Sequence, residues 1–86
     1  MNEQIYFNSR EKRDVVDMLE QRYARIVIRT LDNGYKQAMI INLVICDCDV
    51  WRLYDGIVTN PRLKVMELLG IDIDDKNACE YDWYVM

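Results

Sequence analysis

Asn33-Gly34 stands between two runs rich in β-branched and large apolar residues. Asn-Gly is the preferred centre of a two-residue type I′ hairpin turn, because both positions need positive φ. With these two residues as the loop, Asp32 faces Tyr35 and opposed residue numbers sum to 67. Ile28 then opposes Met39, Ile26 opposes Ile41, and Ala24 opposes Leu43. That face is wholly apolar and belongs on a core. The second face is mixed, with Arg29 opposite Ala38, Val27 opposite Ile40 and Arg25 opposite Asn42. Val44 and Cys46 extend it. A slip of one residue would turn arginines inward, so the pattern itself selects a register. The long apolar run after the turn predicts an interior strand reaching Ile45 or Cys46.

The rest of the chain is punctuated by one proline and only three glycines, so each is informative. Residues 4–7 form a short β-prone segment. A helix over residues 9–21 follows, with Asn8 or Ser9 as its cap and Val15, Val16, Leu19 and Tyr23 on one stripe. For residues 47–59 the spacing of Trp51 and Tyr54 favours a short helix capped by Asp47 or Asp49. The competing reading is a hairpin turning at Asp55-Gly56. Asn60-Pro61 opens a second helix, Asn as cap and Pro at the first helical position. Gly70 closes it, and Ile71 packs back on Met66. Residues 72–77 read as a loop and residues 79–85 as a final alternating strand. The expected fold is a single α+β domain over residues 1–86. It is a small two-layer sandwich, an antiparallel sheet with two main helices on one face, in the βαββαβ order of a ferredoxin-like fold. An irregular α+β domain is the alternative.

Length and composition narrow the functional classes. A domain of 86 residues buries only about 60% of its unfolded surface, enough for one core. No apolar run nears the ~20 residues of a membrane span. The opening Met1-Asn2-Glu3-Gln4 lacks the basic and apolar regions of a secretory signal, so a cytoplasmic protein with no membrane partner is expected. Cys46, Cys48 and Cys79 are an odd set and read as reduced thiols. There is no histidine, which removes imidazole catalysis and leaves Cys-x-Cys far short of a zinc ligand set. The stretch from Asp72 resembles a calcium loop only superficially. Lys76 fills its fifth position, Asn77 its glycine position, and Trp83 the place of the closing glutamate. No Gly-rich phosphate loop occurs. The expectation is a non-enzymatic protein with no cofactor and no metal.

Charge is distributed unevenly. Residues 1–36 carry seven Lys/Arg and six Asp/Glu, whereas residues 37–86 carry four and nine. Asp72, Asp74, Asp75, Glu80 and Asp82 crowd the C-terminal part among Tyr81, Trp83 and Tyr84, and alternation turns Tyr84 outward. Asp72, Asp74, Asp75, Glu80, Asp82 and Tyr84 are therefore the candidate partner-binding face. Spaced carboxylates and aromatics can imitate nucleic acid in the basic groove of a partner protein. This points to a small acidic inhibitor of the type carried by phages and mobile elements. The alternative is a homodimer or accessory subunit using the mixed hairpin face, with Arg25, Val27, Arg29, Ile40 and Asn42 as its residues. Direct nucleic-acid binding is disfavoured by the acidity of the chain, and Tyr23 is the only aromatic placed near that face.

Overall fold

The computed structural model describes residues 9–53 and 58–86. The elements run α1 (Ser9–Glu20), β1 (Ala24–Thr30), β2 (Lys36–Asn42), β3 (Asp47–Arg52), α2 (Pro61–Leu69), a 3-10 turn (Lys76–Cys79) and β4 (Trp83–Val85). The sheet order is β3-β2-β1-β4. Neighbours are antiparallel across β1–β2 and β2–β3, but β4 lies parallel to β1. The fold is an α+β sandwich with a mixed sheet instead of an antiparallel one. The ferredoxin-like order is not confirmed, since α1 is followed by three consecutive strands. The β-prone residues 4–7 and the Asp55-Gly56 turn fall outside the described residues.

The first hairpin departs from the expected register by one residue. Ile28 pairs with Ala38, Ile26 with Ile40, and Ala24 with Asn42. The loop has three residues, Asp32, Asn33 and Gly34, closed by Leu31 N–H donating to Tyr35 O at 2.8 Å. Gly34 N–H donates to Leu31 O at 2.9 Å, and Gly34 takes φ 84°. This is the turn-plus-bulge form of a hairpin, with glycine at the one left-handed position. β1 keeps its expected faces, and β2 is turned over. Ile40 is core, 3% exposed, and Met39 and Ile41 take the second face. The reason lies in β2 itself. Ala38 and Ile40 are apolar, and so are Met39 and Ile41, so either face could go inward and the turn chemistry decided.

β2 is interior, as its long apolar run requires, yet it stops at Asn42. The Asn42 side-chain oxygen accepts from Val44 N–H at 2.9 Å and Ile45 N–H at 3.3 Å, which bends the chain into a four-residue turn. Cys46 ends that turn in the left-handed region, φ 56°. Residues from Asp47 then return as β3, where a helix was expected. Trp51 is buried by pairing opposite the small Ala38, so its bulk meets the helices. Alternation, not helical spacing, places it there. The last strand is also shorter than expected. Residues 76–79 coil into the 3-10 turn, which leaves only Trp83–Val85 to pair with β1.

Both helices pack on one face of the sheet. Val15 and Leu19 of α1 and Val65, Met66 and Leu69 of α2 meet Ala24, Ile26, Ile28, Ala38, Ile40 and Trp51. Leu19, Ile26, Ile28 and Val65 are fully enclosed, each worth about 1.5–3 kcal/mol of burial. α2 is bounded as its sequence predicts. The Asn60 side chain accepts from Leu63 N–H at 3.1 Å, and Pro61 starts the helix. Gly70 (φ 72°) ends it, with Gly70 N–H on Glu67 O and Ile71 N–H on Met66 O. α1 closes with the same bond pattern. Tyr23 N–H donates to Met18 O at 2.8 Å, but Arg22 (φ 64°) holds the position that favours glycine.

Candidate functional site

The acidic C-terminal residues do not share one surface. After α2, Asp72 folds its own loop, accepting from Asp74 N–H on its side chain at 3.0 Å and from Asp75 N–H on its carbonyl at 3.0 Å. Ala78 N–H then donates to Asp75 O at 3.1 Å and starts the 3-10 turn. This brings Asp72 and Asp75 to the side of α1. There they line an open cleft of about 400 Å³ with Arg13, Val16, Asp17, Leu69, Ile71 and Tyr81. A second, smaller depression beside it is lined by Glu20, Arg22, Glu80 and Tyr81. Tyr81 is the wall common to both.

Asp74 is exposed and lines neither depression. Asp82 and Tyr84 go to the second face of the sheet, away from the helices. Asp82 Oδ2 is held by Arg25 Nε at 2.9 Å. Tyr84 pairs beside Val27 and is 54% exposed. The tertiary structure also adds Asp17 and Glu20, which the sequence reading missed. The signal was available: positions 13, 17 and 20 fall on one side of a helix. What was missing was which side the 72–80 segment would approach.

Tyr81 is the most unusual group of the site. It is 5% exposed, and its hydroxyl is buried without a hydrogen-bond partner among the described residues. The Glu20 carboxylate is its neighbour and favours the protonated phenol. Burial pushes the phenol pKa up, and the nearby Glu20 and Asp75 carboxylates push it the same way. The hydroxyl is therefore neutral at physiological pH. Arg13, Asp17 and Asp72 line the cleft without an ion pair within 4.0 Å among the described residues.

The chain matches no family model, no curated protein and no solved structure. What the site can do is therefore read from its chemistry. No three His, Cys, Asp or Glu side chains among the described residues are close enough to hold a metal ion. No described helix is long and apolar enough to cross a membrane.

The second face of the sheet differs from the expected hairpin face. Arg25, Val27 and Arg29 are on it, but Ile40 and Asn42 belong to the helix side, where Asn42 Nδ2 meets Met18 Sδ at 3.5 Å. One cross-strand row reads Val50, Met39, Val27, Tyr84, with Ile41 and Cys48 in the next. Val27 is 5% exposed although it stands outside the helix-side core. Arg29 Nε donates to Gln37 Oε1 at 2.9 Å along the rim. The Cys48 thiol pKa is raised, first by burial and then by Asp49 and Asp47, which makes it a poor nucleophile. The β2–β3 tip is apolar and open, with Val44 69% and Ile45 66% exposed.

Proposed function

We propose that this protein is a non-enzymatic interaction module that engages a basic surface of a partner protein, as an inhibitor of a nucleic-acid-binding site. The observation that supports the reading is the convergence of Asp17, Asp72 and Asp75 on one side of Tyr81 and of Glu20 and Glu80 on the other. Five carboxylates against two guanidiniums make a surface that attracts cations. Asp17 and Glu20 sit on α1, and Asp72 and Asp75 on a hydrogen-bonded loop, so the spacing of these four is held before binding. Asp82 belongs to a different surface and contributes little, being paired with Arg25.

Affinity capture tests this with wild type and an Asp72→Lys/Asp74→Lys/Asp75→Lys variant, each with and without competing DNA and RNA. A partner lost in the variant and displaced by nucleic acid supports the reading. A partner held by both proteins regardless of competitor overturns it.

A second reading has its own observation, the row Val50–Met39–Val27–Tyr84. Val27 in this row is already buried, Met39 and Val50 are half-buried and Tyr84 is exposed; apolar rows with such open positions mark interfaces, and the occupant here would be a second copy of the chain. It requires a dimer in solution that Val27→Glu or Met39→Glu converts to a folded monomer. A monomer at high concentration refutes it.

A further inference from the structure

We infer that the cleft between α2 and Trp83 binds an acidic peptide segment of a partner protein, with one apolar side chain filling the cleft and a neighbouring carboxylate meeting Arg62. This site is separate from the acidic docking surface and does not depend on it. It lies at the beginning of α2, whereas Asp17, Asp72 and Asp75 converge where the end of α2 meets α1.

The shape of the cleft calls for an apolar guest. Leu63, Met66, Ile73, Ala78 and Trp83 line about 210 Å³ of open space. Leu63 is 41% and Ile73 63% exposed, so apolar wall is left facing water in the free protein. The volume falls below the range of about 300–1,000 Å³ usual for cofactor and small-molecule pockets, and it suits one apolar side chain of a macromolecule. The Trp83 indole N–H donates to Ala78 O at 3.0 Å. That bond spends the ring's one donor and holds the wall in place before a guest arrives.

Charge supplies the second half of the guest. Arg62 is the one charged residue among the described residues of the lining. Its guanidinium lies over the Trp83 ring, 5.6 Å from the centroid. The contact uses the charge of the guanidinium and leaves N–H donors open. No carboxylate among the described residues comes within 4.0 Å of it. In a chain of net charge −4, a guanidinium without a carboxylate beside an apolar cleft is complementary to a carboxylate from outside. Tryptophan and arginine are also the residue types that carry most of the energy of protein interfaces. Asp74 is exposed next to Ile73 and repels a second carboxylate, so the guest brings one.

The test titrates the full chain with a blocked peptide, acetyl-Gly-Leu-Asp-Gly-amide, and follows amide chemical shifts at low salt. Blocked ends leave the aspartate as its only carboxylate. The expected shifts centre on residues 60–66, 73, 78 and 83. Alanine in place of the leucine weakens binding by about tenfold or more, the loss of one buried side chain. Asparagine in place of the aspartate weakens it about two- to fivefold, as for a partly exposed ion pair. Arg62→Gln gives the decisive signature, because the aspartate and asparagine peptides then bind alike. An arginine with a merely structural role would weaken both by the same factor. Ile73→Ser, at an exposed position, weakens both peptides and keeps the native spectrum. Asp74→Asn strengthens the aspartate peptide. Equal affinity of the wild type for the two peptides, or no binding of either, overturns the inference and leaves the acidic docking surface standing. Isovalerate binding as tightly as the peptide assigns the cleft to a small acid and overturns it as well. The same shifts on concentrating the free protein place a second copy in the cleft, which also overturns it.

Discussion

Arg25 Nε and Asp82 Oδ2 lie 2.9 Å apart and join β1 to the segment leading into β4 on the face away from the helices. The bond withdraws Asp82 from the acidic cluster that its position in the chain suggests. Both side chains remain partly open to water, and such pairs contribute about 0–1 kcal/mol. Arg25→Ala and Asp82→Asn are each expected to cost less than about 1 kcal/mol in urea denaturation. Neither should alter affinity for a basic peptide. A large loss of affinity in Asp82→Asn would move the docking surface to the other face of the sheet.

The register of the first hairpin has a direct mutational signature. Ile40 faces the helices and Met39 faces away. Ile40→Glu buries a charge without a partner, at a cost above about 4 kcal/mol. A domain this size is stabilised by only about 4–13 kcal/mol, so the variant should be largely or wholly unfolded by circular dichroism. Met39→Glu should keep the native spectrum. The reverse outcome would restore the two-residue loop.

Gly34 sits at φ 84° with open space where a Cβ would go, so the cost of a side chain there is backbone strain alone. Gly34→Ala is expected to destabilise by about 1–2 kcal/mol. Asn33→Ala should cost less, although it removes the side-chain oxygen that accepts from Tyr35 N–H at 3.0 Å. Thermal denaturation of the two variants gives the ranking.

At the end of α1 the strain runs the other way. Arg22 adopts φ 64° in a position where glycine bears no penalty. Arg22→Gly should stabilise the protein by about 0.5–1 kcal/mol, part of the relief being returned as unfolded-state entropy. Arg22→Ala keeps the Cβ and should show no such gain. Equal stabilisation by both would assign the effect to the guanidinium instead of the backbone.

Tyr81 should leave a mark on alkaline stability. Its folded-state pKa is raised above the usual phenol value, by burial first and by Glu20 and Asp75 next. The folded state thus holds the proton more firmly than the unfolded chain. Its stabilising effect is intact below pH 10 and is lost as pH climbs through the raised pKa. Denaturation midpoints between neutral pH and pH above 10 should fall less steeply in Tyr81→Phe than in wild type. Parallel curves would mean that the phenol titrates alike in both states.

Much of the local structure was legible before any coordinates. Asn60, Pro61 and Gly70 act through backbone geometry that is the same in any fold, so α2 starts and stops where they stand. α1 follows from one apolar stripe, and the α+β class with both helices on one face follows from the pattern of faces. Tertiary structure decided what local pattern left degenerate. β2 is apolar on both sides, so its inward face was set by the loop at Asp32–Gly34 and by the partner strand. Residues 47–52 carry apolar groups compatible with either period, and pairing with β2 made them a strand. The acidic site was legible as composition but not as geometry. Hydrogen bonds within the loop after α2 carry Asp72 and Asp75 to α1, whereas pairing with β1 takes Asp82 and Tyr84 to the opposite face. Charge in a sequence is counted along the chain. A binding surface is assembled across it, by contacts whose partners lie dozens of residues away.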